Sequence, residues 1–350
     1  MQKKVAVGLS GGVDSSVAAH VLKEQGYDVT GVYMQCWDSR ADGCTAEQDR
    51  ADAVSVASKL GIKFGYLDFI QEYKAKVIDY FYKEYEAGRT PNPDVMCNKE
   101  IKFGLFLRWA LQNGFDYVAT GHYARVRKDI DGYKLLKGVD SSKDQSYFLY
   151  VLNQEQLAKT LFPVGDMKKT ELRALAKKLG LATFNKPDSV GICFIGEVDI
   201  REFLKKRIKN KLGKVINLKG EVLGEHDGVW FYTIGQRHGF RVDKYVGLPL
   251  YVIGKNVQKN ELIVGFAGDA TCAKFKVDNL HWISGLIANE FDCDVRVRHL
   301  GELFTAHVAF FPKTGLAEVT LTNPVFGVAP GQSAVFYIAD VCLGGGIITE

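Results

Sequence analysis

Val5-Ala-Val-Gly-Leu-Ser-Gly-Gly-Val-Asp-Ser-Ser16 is the stretch whose reading decides the fold. Val5, Val7 and Leu9 alternate with small residues, the period of a buried strand. Ser10, Gly11 and Gly12 follow as a turn that only small residues close tightly. Asp14 and Ser15 then open a helix that Val17 to Leu22 continue. A helix starting after such a turn aims its unpaired backbone N–H groups at one point, which favours an anion, typically phosphate. The stretch lacks the lysine of the common phosphate loop, and it lacks the GxGxxG spacing with a ribose-binding acid about 20 residues on.

Downstream, strands and helices alternate. Asp28 to Met34, Lys63 to Leu67 and Asp116 to Thr120 read as strands. A capping signature at Thr45 and Gln48 starts a helix with Ala53, Val56, Ala57 and Leu60 on one face, ended by Gly61. Ile70 to Tyr85 and Ile101 to Leu111 are predicted helices. Such alternation over 120 residues predicts a parallel sheet wrapped by helices. Asp131-Gly132 predicts a hairpin between Ala124–Val126 and Tyr133–Leu136. Gln145 to Leu161 and Lys169 to Leu179 read as helical.

The texture changes near residue 205. Arg201 to Lys214 (REFLKKRIKNKLGK) is basic, and short apolar runs then alternate with turn residues. Examples are Gly228 to Ile234, Leu250 to Ile253, Glu261 to Val264, Val295 to Arg298, Ala306 to Phe310, Ala317 to Leu321 and Ser333 to Ala339. The reading is α/β: a parallel-sheet domain over 1–204, a small β-rich linker domain over 205–268 and a C-terminal β-barrel over 269–350.

Composition is that of an ordinary soluble globular chain of 350 residues, 47% hydrophobic and 25% charged. No apolar run reaches the roughly 18 residues of a membrane span. The strand begins directly after Met1-Gln-Lys-Lys, leaving no room for a signal peptide. A net charge of +4 permits a nucleic-acid partner without demanding one. The seven cysteines (Cys36, Cys44, Cys97, Cys193, Cys272, Cys293 and Cys342) form no C-x-x-C pair, so a zinc site has little support and a reduced, cytoplasmic protein is expected.

Two further stretches carry chemistry. Thr90-Pro-Asn-Pro-Asp-Val-Met-Cys-Asn-Lys-Glu-Ile-Lys-Phe103 is stiffened by prolines that disfavour helix until about Cys97. A helix start with Lys99 and Lys102 nearby would favour a thiolate at Cys97, and Asp94 could take a proton. Lys186-Pro-Asp-Ser-Val-Gly-Ile-Cys-Phe-Ile-Gly196 sets Cys193 in a glycine-flanked apolar turn. Taken singly, each cysteine also has an ordinary packing explanation.

SGGVDS resembles the loop of the N-type ATP pyrophosphatases, which cut ATP between its α and β phosphates. With NPDVMCNKEIKF and DSVGICFIG in this order and spacing, the chain closely resembles the bacterial tRNA-specific 2-thiouridylases, the tRNA-uridine 2-sulfurtransferase (MnmA) family. The resemblance extends over the whole chain: ATGHYAR at Ala119 to Arg125, KDQSYFL at Lys143 to Leu149, GEVLGEHDG at Gly220 to Gly228, TIGQRHG at Thr233 to Gly239 and APGQSAVFY at Ala329 to Tyr337.

That resemblance implies an adenine-nucleotide α-hydrolase-like first domain that uses ATP and Mg²⁺ to convert the wobble uridine of tRNA to 2-thiouridine. It implies that Gly8, Leu9, Ser10, Gly11, Gly12, Val13, Asp14 and Ser15 cradle ATP, with Met34 and Gly121 on the adenosine side. Asn92, Pro93 and Asp94 would hold the flipped-out base, with Asp94 the acid/base partner. Cys193 would carry a persulfide from a sulfur-donor protein, a desulfurase or relay. Cys97 would join Cys193 in a transient disulfide. Lys143, Asp144 and Gln145 would touch the tRNA backbone, and the barrel would grip the anticodon stem. A monomer is expected. Where the family commonly has Arg-Tyr in the barrel, this chain has Arg298-His299; Arg298 can still contact phosphate, and His299 can stack on a base but brings no phenol. The basic run Lys205 to Lys214 suits RNA phosphates or a solvated helix face.

Two other classes share some of these features. An AMP-forming amidotransferase or ligase would need the loop but no paired cysteines. A non-catalytic RNA-binding protein would need neither Asp14 nor Ser15.

Overall fold

The computed structural model describes residues 2–38, 46–188, 191–196, 198–243, 245, 247–285 and 288–349. The capping threonine at position 45, Cys44 and two residues of the DSVGICFIG stretch (189 and 190) lie outside them.

The chain opens as β1 (Lys4–Gly8), α1 (Val13–Glu24), β2 (Asp28–Gln35), α2 (Ala46–Leu60) and β3 (Lys63–Asp68). A long helical run follows: α3 (Ile70–Tyr73) and α4 (Asp79–Glu86) with a π-helical stretch Lys74–Ile78 between them. A second run joins α5 (Pro93–Cys97) to α6 (Leu107–Gln112) through the π-helical stretch Asn98–Phe106. Next come β4 (Tyr117–Ala119), the hairpin β5 (Ala124–Asp129) and β6 (Gly132–Lys137), a 3-10 turn at Ser146–Leu149, α7 (Gln154–Ala158), β7 (Thr160–Leu161), α8 (Lys169–Lys178) and α9 (Ile200–Lys205).

The first sheet is parallel, in the order β3-β2-β1-β4-β7. Its central strand is covered on both faces: Val5, Ala6 and Val7 are fully buried. This is why the strand reads as a near-continuous apolar run. The chain then forms β8 (Gly213–Ile216), β9 (Val222–His226), β10 (Arg241–Val242), β11 (Tyr251–Asn256) and β12 (Glu261–Gly265). These make a small sheet in the order β10-β9-β8-β12-β11. The last part is β13 (Thr271–Trp282), β14 (Glu290–Arg296), β15 (Phe304–Phe311), β16 (Leu316–Phe326), β17 (Ser333–Ile338) and β18 (Val341–Ile348). Pairing of β13 with both β16 and β18 closes these six antiparallel strands into a barrel. Closure removes the exposed edges that a six-stranded sheet would otherwise leave.

Several expectations need correction. Gln145–Leu161 is not one helix. It breaks at Leu152, Asn153 caps a new short helix through its side chain, and Thr160–Leu161 leaves as the fifth parallel strand. Gly228–Ile234 is not a strand: Gly228 sits at φ 147° and Val229–Phe231 form a 3-10 turn with both end residues buried. The helix expected from Ile101 begins at Pro93, because a proline in the first turn loses no hydrogen bond there. The hairpin β5–β6 forms where expected, but it also pairs with barrel strand β18, through Val341 opposite Leu136 and Cys342 opposite Leu135. The N-terminal unit and the barrel therefore share one sheet.

Candidate active site

The turn after β1 is built from its own short side chains. Ser15 Oγ accepts from the Ser10 N–H at 3.2 Å, and Ser16 Oγ donates to the Gly12 carbonyl at 2.8 Å. Gly11 has φ 75°, and a Cβ there would stand 2.3 Å from the Asp49 carbonyl oxygen, so no side chain fits. Gly121, just after β4, is pressed onto the start of α1: its Cβ would meet the Ser15 nitrogen at 2.6 Å. On the β2 side, Met34 Cε would be 3.1 Å from a Cβ at Gly8. Gly8 and Met34 thus lie together at the end of β1, and Gly121 and the 10–15 turn at the start of α1, where the first helical N–H groups are unpaired and this patch can attract an anion.

Charge surrounds this patch in balanced pairs. Lys169 reaches both Asp14 oxygens at 2.7 and 2.8 Å and Asp188 at 2.9 Å. Lys143 and Arg173 also hold Asp188, each at 2.7 Å. Their hydrogen bonds and charges outweigh its partial desolvation and keep this carboxyl well below the usual carboxylate range. Lys186 donates to the Gly11 carbonyl at 3.1 Å and pairs with Asp49 at 2.7 Å and Asp52 at 2.5 Å. The sequence reading did not assign Lys169, Lys186 and Asp188. Lys186 begins the third quoted stretch, but nothing local announces that it returns to the loop.

The second constellation is a pocket holding both expected cysteines. Cys97 Sγ lies 3.5 Å from Cys193 Sγ, 96 residues apart in sequence. Asn92 caps α5 by accepting from the Asp94 and Val95 N–H groups at 3.1 and 3.3 Å. Asp94 and Cys97, three apart, then share a helix face. Asp94 Oδ1 accepts the Cys193 N–H at 3.0 Å, and Tyr73 donates its hydroxyl to the Cys193 carbonyl at 2.5 Å. Cys193 itself sits in a short turn closed by the Ile192–Gly196 bridge.

Lys102 completes the pocket. An α-helix rotates about 100° per residue, so five steps from Cys97 would carry Lys102 roughly 140° away. The i→i+5 bonding of the π-helical stretch brings residue 102 back over residue 97 instead. Its ammonium lies 3.4 Å from His122 Nε2 and 5.7 Å from the centre of the Phe194 ring.

The lowered thiol expected at Cys97 is found at the other cysteine. Burial pushes the Cys97 thiol well up, and Lys99 is exposed rather than facing it. The Cys193 thiol is lowered, first by the hydrogen bond from Cys97 and then by Lys102, which together outweigh burial. Burial raises Asp94, with partial relief from the Cys193 N–H and Lys102. Burial and then Lys102 hold His122 neutral, its pKa well below the usual range. Cys36 lies in the same core, and burial raises its thiol well above the ordinary value.

His122 connects the two constellations. It follows Gly121, is braced by Thr120 at 2.7 Å and touches Lys102, while Tyr123 donates to Asp14 at 2.9 Å. The ATGHYAR segment therefore presses on the loop with one residue and on the thiol pocket with the next.

The expected tRNA contacts divide. Lys143 and Gln145 are half-buried near the surface, and Arg298 is exposed. Asp144 is not available: it is 1% exposed and accepts from Gly138 N–H, Ser146 N–H, Ser146 Oγ and, at 2.7 Å, Arg296 of β14. An anion so fully engaged is a structural anchor. His299 already packs on Phe148, ring centres 4.1 Å apart and the planes tilted by 35°. In the basic run, Arg201 pairs with Asp227, Lys205 with Glu202 and Arg207 with Asp79, leaving Lys206, Lys209, Lys211 and Lys214 exposed. Cys272, Cys293 and Cys342 lie on barrel strands. Among the described residues no cluster of three or more metal-ligating side chains occurs, and no helix is long and apolar enough to cross a membrane.

Three family models match in series: a tRNA methyl transferase HUP domain over residues 3–197, a tRNA methyl transferase PRC-barrel domain over 201–266 and an aminomethyltransferase beta-barrel domain over 272–348. The chain is 48% identical over 351 residues to the tRNA-specific 2-thiouridylase MnmA of Listeria monocytogenes serotype 4b, covering 99% of this chain and 94% of that one. It is 48% identical to the protein of the same description from Halalkalibacterium halodurans, covering 99% and 95%. Among solved structures it is similar to the U34-tRNA thiolase NcsA of Methanococcus maripaludis, at 22% identity over 58% of this chain and 66% of that one, with a TM-score of 0.37.

Proposed function

Since the chain belongs to the tRNA-specific 2-thiouridylase family, we propose a division of labour in which the 8–15 loop activates and the thiol pair delivers sulfur. The protein is a tRNA-uridine 2-sulfurtransferase that uses ATP. The observation that carries the division is the 3.5 Å approach of Cys97 and Cys193, with Asp94 bound to the Cys193 N–H.

The loop residues Gly8 to Ser15 hold the phosphates on backbone N–H groups, with Met34 and Gly121 beside the adenosine. The uridine C2 oxygen attacks the α-phosphorus, pyrophosphate leaves, and the base carries AMP on that oxygen. Oxygen alone is a poor leaving group at C2; AMP is a good one. Mg²⁺ bound with the triphosphate would supply positive charge for the departing pyrophosphate, and Asp14, the loop carboxylate, would hold it in exchange for its Lys169 and Tyr123 partners. Asn92, Pro93 and Asp94 receive the base, which is unpaired in an anticodon loop and costs little to evert. Burial raises the Asp94 carboxyl, which suits it to hold and exchange a proton.

Cys193 accepts a sulfur from a donor protein's persulfide. Its terminal sulfur attacks C2, expelling AMP, and the Cys97 thiolate attacks Cys193 Sγ to break the S–S bond. In the other order, Cys97 first releases hydrogen sulfide, which then attacks C2. Both leave a Cys97–Cys193 disulfide, which an external dithiol must reduce. Lys143, Gln145, Arg298 and the exposed lysines after α9 face tRNA phosphates. The protein acts as a cytoplasmic monomer. The test is mass spectrometry of tRNA nucleosides after incubation with ATP, Mg²⁺ and sulfide: 2-thiouridine is expected, and its absence alongside amino-acid-dependent AMP release would favour a small-molecule ligase.

A further inference from the structure

We infer that Lys102 is the counter-ion of the Cys193 sulfur, a positioning residue that decides when this thiol can accept and carry sulfur. The inference rests on the reading of Cys193 as the sulfur carrier and adds the group that makes it reactive.

Cys193 meets Cys97 at 3.5 Å, gives its N–H to Asp94 at 3.0 Å and takes the Tyr73 hydroxyl on its carbonyl at 2.5 Å, while the Lys102 ammonium lies against its chain neighbour Phe194 and against His122. Asp68 and Glu72 act on Cys36. Lys102 is the cation of this set. His122 cannot substitute, being held neutral by burial and by Lys102 itself. Lys102 packs on Phe194, the residue after Cys193, and touches His122 at 3.4 Å. Nor does it take part in the carboxylate pairs that occupy Lys143, Lys169 and Lys186. Burial should discharge such an ammonium, yet the facing Cys193, Cys97 and Asp94 hold its pKa above the usual lysine value. The π-helical stretch matters to this placement: α-helical continuation would turn residue 102 away from the sulfurs.

The chemistry needs the charge at one step above all. The Cys193 thiolate attacks the terminal sulfur of a protein persulfide. The new S–S bond forms as the donor's S–S bond breaks, the donor leaves as a thiolate, and the proton stays on the transferred sulfur. No outside oxidant or reductant enters. The attacking species must be the anion, so its population at neutral pH sets the loading rate.

The test is iodoacetamide alkylation of the full chain at a series of pH values, read by peptide mass spectrometry at Cys193. In the unaltered protein the midpoint should lie below the ordinary thiol range near 8.5. Lys102→Met should raise it by a unit or more, slowing Cys193 alkylation about tenfold at pH 7. Lys102→Arg should restore most of the shift, which a purely structural role would not predict. An unshifted midpoint in a cooperatively melting Lys102→Met, or in Lys102→Gln if the first variant does not fold, overturns the inference. So does a midpoint at or above 8.5 in the unaltered protein. If Cys193→Ala still thiolates tRNA, the functional reading fails, whereas a shifted alkylation midpoint would still assign Lys102 as the counter-ion.

Discussion

The nucleotide loop and the thiol pocket lie one residue apart along the ATGHYAR segment, yet they are built on opposite plans. The loop is contiguous, its turn is made by its own serines and glycines, and its lysines are matched by carboxylates. The pocket is gathered from segments near residues 36, 73, 94–102, 122 and 193 and holds thiols that lie in a hydrophobic core. A phosphate site can be specified by a dozen residues because backbone N–H groups do the binding. A site that must keep sulfur reactive and dry needs long-range packing, since no short segment can bury itself.

The largest effect expected from this contrast is a separation of half-reactions. Cys193→Ala and Cys97→Ala should each cut 2-thiouridine formation at least a thousandfold, a loss of about 4 kcal/mol of transition-state stabilisation. Pyrophosphate release with ATP and tRNA should stay within a few-fold of the unaltered protein. Equal loss of both activities, measured by nucleoside mass spectrometry and a pyrophosphate assay, would break the division.

The next effect concerns what supports the pocket. Asp144, expected on the surface, anchors the Ser146–Leu149 turn to barrel residue Arg296. That turn in turn receives the Asn98 side chain beside Cys97, at the Phe148 carbonyl. Removing one member of a buried ion pair leaves the other unpaired, at a cost of about 3–5 kcal/mol. Asp144→Ala should lower stability by that order in denaturant melts and blunt Cys193 alkylation more than ATP binding. If ATP binding suffers equally, loop and pocket are not separately supported.

A smaller effect should come from the loop's tightest contact. A Cβ at Gly121 would meet backbone, which cannot rotate aside as a side chain can. Gly121→Ala should cost about 1–3 kcal/mol and weaken ATP binding, with Cys193 reactivity little changed. Calorimetry with ATP and the alkylation assay would check this.

The same contrast explains what could be read in advance. The strand–turn–helix from Val5 to Ser16 and the β2 and β3 strands follow from period and turn chemistry alone, and the structure has them within a residue or two. Local pattern could not say that Gln145–Leu161 breaks, because Thr160–Leu161 becomes strand only by pairing with β4. It assigned the thiolate to Cys97 because Lys99 and Lys102 are its chain neighbours. A π-helical stretch, which no propensity rule announces, sends Lys102 over the pair, while Lys99 points to solvent. Asp144 was misplaced for a related reason: its partner is 152 residues away.

The smallest effect tests whether the protein itself holds His299 in place. His299 lies against Phe148, with Tyr147 beside it at 6.2 Å. Burial, then Arg296, lowers its pKa to about 4, with Asp144 opposing. The unfolded chain, with a histidine near 6.5, therefore takes up a proton between pH 6.5 and 4 that the folded chain refuses. Stability from this residue is present above about pH 6.5 and is lost as pH falls through that window. Because the ring is partly exposed, the loss should be on the order of 1–2 kcal/mol. His299→Phe keeps a ring on Phe148 and cannot titrate. Its stability should match the unaltered protein at pH 7.5 and exceed it at pH 4.5, in urea melts at both values. A parallel pH dependence in the two proteins would mean that the ring is not held against Phe148 in solution. His299 would then be as free as Arg298 to meet a base.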